Sequence, residues 1–195
     1  MDVQKITTKL FTDPPPNPSL DPFLAIFARW RQEKNHPACW VDIADYAHVR
    51  KGPGVMLVGH RGNLALDLAD PGPGILYSNK RDLEGTIEDR ILEAFSRCTE
   101  LARELIVQPE YPAAFKPRAG FWELTFNDCL DLPNTDTTNR LLRPAVDRAL
   151  DELLGAGSYM IIRQSDPTRR YGFIIHCSAV DCLEGLSAKL QYAAG

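Results

Sequence analysis

The sequence predicts an α+β protein built on a mainly antiparallel sheet, and three observations carry that expectation. Stretches such as "VQKITTKLFT" (3–12) and "FWELTFND" (121–128) alternate apolar and polar residues, as half-buried strands do. Two longer runs, Thr86 to about Gln108 and 136–154, repeat their apolar residues at the helical period. Several strand-like runs are joined by short turns ("RKGPG", "ADPGPG", "SDPTRR"), which antiparallel neighbours allow and parallel crossovers do not.

Each element has its own signal. In 3–12, Ile6, Thr8 and Leu10 share a face, while the charged Lys5 and Lys9 lie opposite. "DPPPNPSLD" must be an extended connector, because proline fixes φ and removes a backbone donor. Asp21 then caps a helix with Pro22 at its first position, and Leu24, Phe27, Trp30 and Arg31 form its stripe. "CWVDIADYAHV" (39–49) reads as a strand, and 55–68 as one long strand returning beside it. "ILYSNKR" (75–81) follows the next turn. The helix from Thr86 stacks Ile87, Ile91, Phe95, Cys98, Ala102 and Leu105, with Glu88 and Asp89 complementing its N-terminal dipole. Strand 121–130 sets Trp122, Leu124 and Phe126 against Glu123, Thr125 and Asn127. Pro144 predicts a kink or restart inside 136–154, which Gly155 terminates. "YMIIRQ" and "YGFIIHC" form a hairpin. Asp181 and Glu184 have the spacing of a capping box, which predicts a short C-terminal helix.

The order strand, loop, helix, strand, strand occurs over 3–68 and again over 121–179. It predicts two βαββ-like units, consistent with an internal duplication. The sub-modules would span 1–82 and 118–180 within a single compact domain of 195 residues, joined by the helix at 86–108.

Composition narrows the function classes. The net charge is −4 and no basic run is present, which disfavours a nucleic-acid groove. Five cysteines (39, 98, 129, 177, 182) are odd in number and form no CxxC, as expected of reduced thiols in the cytoplasm. Residues 1–30 lack a signal-peptide pattern and no apolar run approaches ~18 residues, so no membrane insertion is expected.

"LVGHRGNLALDL" (57–68) holds the constellation with most chemical content. His60 sits between Gly59 and Gly62, on the side of the strand that carries Val58 and Leu64. If 39–49 and 55–68 pair with their apolar faces matched, Asp45 falls opposite or diagonal to His60, and Arg61 beside Asp42. A carboxylate there would hold one imidazole tautomer and favour its protonation, giving a candidate acid/base pair, Asp45–His60. A core histidine satisfied by aspartate explains the same residues, and a bulge at either glycine would overturn the parity. Asp45, His48 and His60 could also converge on a metal, although their spacing matches no strong motif; no metal and no other cofactor is expected. Tyr46, His48 and Trp122 are candidate ligand contacts. His176, Cys177 and Cys182 lack an obvious fourth metal ligand. Arg169 and Arg170, near Asp166 on a hairpin tip, could hold an anion.

The stretch 40–68 resembles a family of uncharacterised bacterial proteins through Asp45, Tyr46, His48 and Val49, the Gly52–Pro53–Gly54 turn, and the Gly59–His60 pair. Weaker likeness extends over most of the chain. The resemblance implies a full-length bacterial protein and implies no activity.

No GxSxG, HExxH or phosphate-binding glycine loop is present in the sequence. The expected function is therefore a non-enzymatic cytosolic binding or accessory protein. It would be a subunit or regulator of a larger assembly, with a protein partner or self-association, or a small-molecule-binding protein. A small hydrolase or lyase using Asp45 and His60, or a metal-binding protein, is the alternative.

Overall fold

A computed structural model describes residues 3–15, 18–33, 36–49, 52–80 and 83–178, together with Gly185. Its strands are β1 (Ile6–Asp13), β2 (Trp40–Asp45), β3 (Val55–Gly59), β4 (Gly62–Asp67), β5 (Gly74–Asn79), β6 (Lys116–Phe126), β7 (Tyr159–Arg163) and β8 (Gly172–Cys177). The helices are α1 (Asp21–Gln32), α2 (Ile87–Ile106) and α3 (Asp136–Leu154). The fold is α+β, as the alternation predicts. All eight strands join one antiparallel sheet in the order β2-β3-β4-β5-β1-β6-β8-β7.

The helices cover one face of this sheet. Ile6, Thr8 and Leu10 of β1 and Trp122, Leu124 and Phe126 of β6 turn towards them and are buried. Thr8 Oγ1 donates to the Ala94 carbonyl of α2 at 3.0 Å, and Phe95 packs on Trp122 with ring centroids 5.1 Å apart. α1 lies on β2 and β3, and α2 on β1 and β5 beside α3. The Cys98 thiol is sealed within this layer, and burial pushes its pKa up to about 12. The opposite face carries no helix among the described residues.

Several expectations are corrected. The 55–68 run is two strands, because the chain reverses at His60 and Arg61. Close packing explains the flanking glycines: a Cβ on Gly59 would lie 2.8 Å from the Trp40 ring, and one on Gly62 would lie 2.6 Å from Tyr77. β2 stops at Asp45, and residues 46–49 form a turn closed by Val49 N–H donating to the Tyr46 carbonyl at 2.8 Å. β6 starts earlier than expected, at Lys116, and ends at Phe126. The N-cap of α1 is Leu20, so Asp21 is its first helical residue. α3 runs unbroken through Pro144 from Asp136 to Leu154. α2 carries a full capping box between Thr86 and Asp89.

Duplication is not established. The second half has the order β6-β8-β7, whereas β5 and β4 stand between β1 and β3 in the first. The helix expected near Asp181 and Glu184 falls outside the described residues, as does Cys182. No helix among the described residues is long and apolar enough to cross a membrane.

Candidate functional site

The polar half of each alternating strand builds the site. Register places Asn63 of β4, Ser78 of β5, Thr7 of β1 and Thr125 of β6 in one row across the open face. Thr7 Oγ1 is hydrogen-bonded to Ser78 Oγ at 3.0 Å, and Asn127 Nδ2 donates to Thr7 Oγ1 at 2.7 Å. The next row runs through Leu76, Lys9, Glu123 and Ile174. Loops 68–73 and 164–171 border these rows, with Arg169 lying 3.8 Å from Asp70. Together they enclose a groove of about 700 Å³, which Met56, Leu76 and Ile174 line on its apolar side. Cys129, Arg169 and Arg170 also line it and are exposed.

Lys9 anchors the groove. Its side chain is 1 % exposed, and Nζ lies 2.7 Å from Asp67 Oδ2, 3.4 Å from the Ala69 carbonyl and 3.5 Å from Glu123 Oε2. Three acceptors therefore match the three ammonium protons, the condition under which a buried lysine can stay charged. The Phe11 ring lies 5.5 Å from the same nitrogen. Gly74 makes room for the stem, since a Cβ there would come within 2.7 Å of Lys9 Cγ and 2.5 Å of the Leu10 carbonyl. Burial pushes the Glu123 carboxyl up from its ordinary range, and the neighbouring Lys9 partly opposes that shift. The Oδ1 atoms of Asn63 and Asn127 are buried with no hydrogen-bond partner among the described residues, and both side chains line the groove.

The residues singled out from sequence lie elsewhere. Asp45 pairs with Val55 and Trp40 with Gly59, so Asp45 and His60 stand at opposite ends of β3. The hairpin closes directly from Asp45 to Val55 and sets Ile43 against Leu57, so Ile43 shares a face with Leu57 and not with Met56 and Val58, and the turn after Gly59 takes His60 out of the strand. Asp45 Oδ1 instead accepts from Ala47 N–H at 2.8 Å. Tyr46 and His48 are exposed in the turn at Asp45's end of the strand. Asp45, His48 and His60 do not converge, and no group of three such side chains able to hold a metal occurs among the described residues. Asp42 lies 3.9 Å from Arg31 instead of beside Arg61. Trp122 is sealed on the helix side, where Nε1 donates to the Ala119 carbonyl at 2.7 Å, so it is no groove wall. Its neighbour Phe121 stacks on His176 at 4.0 Å, and Cys177 is buried.

A histidine–carboxylate pair does exist, at residues the sequence reading passed over. His36 Nε2 lies 2.9 Å from Glu104 Oε1, while Nδ1 accepts from Ala38 N–H at 3.2 Å. These partners place the proton on Nε2. The ring sits between Trp30 and Trp40, with centroids 5.6 and 5.3 Å away, and clamps the 36–40 turn to α1 and α2. Its signal was aromatic: Trp30, His36 and Trp40 at short spacing.

The groove residues had a faint signal too. Lys9 was legible as the charged member of an alternating strand, and Glu123 likewise, but nothing local announces that the two strands are neighbours. No protein-family model matches the chain, and no curated protein matches it.

Proposed function

We propose that the chain is a non-enzymatic binding protein whose open-face groove holds a small molecule. The observation that carries this reading is the concentration of polar side chains in that groove, on a sheet face that carries no helix among the described residues. A row of hydroxyl and amide groups crosses four strands there, above a fully neutralised lysine. Ligand sites typically combine apolar walls with a few fixed polar groups in a volume of ~300–1,000 Å³. The ligand that fits carries N–H or O–H groups for the Ser78 and Thr125 hydroxyls and the Glu123 carboxyl. It also carries an apolar segment for Leu76 and Ile174 and an acidic group for Arg169 and Arg170. We place the protein in the cytoplasm on the strength of its cysteines, of which Cys39, Cys98, Cys129 and Cys177 are free thiols.

The hydrolase or lyase reading loses the Asp45–His60 pair on which it rested. Alkylation of Cys39 and Cys129, the two exposed thiols among the described residues, tests the binding reading. Cys129 lines the groove and Cys39 does not, so a compound bound there slows alkylation of Cys129 alone. A compound that raises the melting temperature yet leaves Cys129 reactivity unchanged argues for another site.

A further inference from the structure

The two edges of the sheet differ in a way that points to a partner. β2 is guarded by a β-bulge and by Asp42 and Asp45, devices that keep an edge from pairing. β7, "YMIIR", has no bulge, proline or lysine, no other strand pairs with its outer side among the described residues, and its Met160 and Ile162 are 62 % and 64 % exposed. Exposed apolar residues on an unguarded edge strand form a pairing template.

We propose that β7 pairs antiparallel with β7 of a second copy of this chain, about a two-fold axis at Ile161. Hydrogen-bond direction selects this register. Gln164 N–H donates to the Gly172 carbonyl at 2.9 Å, so the alternation of an antiparallel ladder turns the backbone groups of Met160 and Ile162 towards β8. The N–H and C=O groups of Tyr159, Ile161 and Arg163 then point outwards. Centring the axis on Ile161 pairs it with its own copy and each Tyr159 with the other copy's Arg163, every pair exchanging two hydrogen bonds.

Side chains agree with that register. Met160 meets the other copy's Ile162 at a close, non-hydrogen-bonded position, covering the apolar pair on both copies. On the helix side, Arg163 of one copy arrives beside Tyr159 of the other. That Tyr159 hydroxyl donates to Asp151 Oδ1 at 3.0 Å and lies 3.3 Å from the Asp147 carbonyl. Arg163 Nη1 lies 2.8 Å from Asp136 Oδ1 in its own copy and Arg143 holds Asp147 at 2.7 Å, so on pairing the Arg163 guanidinium exchanges Asp136 for Asp151 of the other copy, once on each side of the axis. The eight-stranded sheet becomes continuous across the dimer, with both grooves on the same side.

Light scattering on the full chain after gel filtration, at roughly 50 μM, tests the pairing. The expected result is twice the monomer mass. Ile161→Pro removes an outward-facing donor together with a side chain that packs partly on the core, whereas Ile162→Lys leaves the core untouched and places a charge in the apolar seam. Both are expected to give folded monomers, with circular dichroism unchanged. A wild-type monomer at that concentration overturns the proposal, as does a dimer that persists in either folded variant.

Discussion

Lys9 and Asp67 form a buried ion pair, 2.7 Å apart, on the sheet face that the helices leave open. Alternation along β1 would ordinarily send the residue between Thr8 and Leu10 to solvent. Here two carboxylates and a carbonyl replace the water, and the resulting floor carries the groove. Two measurable consequences follow from that arrangement.

Removing the cation should be costly. Lys9→Met leaves Asp67 and Glu123 facing each other without compensation, which is expected to destabilise the fold by about 3–5 kcal/mol. Adding Asp67→Leu to Lys9→Met should recover part of that loss, since an apolar pair needs no counter-charge. Urea denaturation of both variants gives the numbers. A Lys9→Met loss below about 1 kcal/mol would contradict a buried charged pair.

Glu123 should make stability depend on pH with a definite sign. Its folded pKa is raised by burial, so between the unfolded value near 4.5 and the higher folded value the native state binds more protons. The Glu123 contribution is therefore fully present below pH 4.5 and is lost as pH rises through that window. Relative to Glu123→Gln, the wild type is expected to lose stability on going from pH 4 to pH 7. Parallel melting curves in which the two proteins stay offset by a constant amount would remove Glu123 from the account.

Gly59 and Gly62 serve packing more than turn geometry. Gly62→Ala drives a methyl to 2.6 Å from the Tyr77 ring and should destabilise by about 1–3 kcal/mol. Gly59→Ala should do the same through Trp40 and alter tryptophan fluorescence as the ring shifts. Alanine at either position without loss of melting temperature would show that the rings move aside freely.

Asp45 and His60 should behave independently. They stand roughly 15 Å apart at opposite ends of β3, so a double-mutant cycle with alanine should give a coupling energy within ~0.5 kcal/mol of zero. A coupling above about 1 kcal/mol would mean that the two side chains interact.

The sequence made the strands, the helices and the antiparallel class legible because alternation and helical period are local signals. Trp122, Leu124 and Phe126 face the helices as their spacing requires. What stayed hidden depended on which strands become neighbours. Lys9, Asp67 and Glu123 are 58 and 114 residues from first to second and first to third in the chain, and only the sheet order unites them. The misplaced Asp45–His60 pair has two origins. No local signal between Asp45 and Val55 sets the register with which that hairpin closes, and the two-residue reversal at His60 and Arg61 falls inside a run whose flanking apolar residues read as one strand. The pairing of His36 was hidden for a related reason, since its partner Glu104 arrives from a helix 68 residues away.

Native mass spectrometry of gently purified wild-type chain, compared with a groove-filling Thr125→Trp variant, tests the binding reading most directly. The account predicts a small molecule retained by the wild type and absent from the folded variant. A wild type that carries no small molecule, together with Cys129 alkylation that no metabolite-like compound slows, would contradict it.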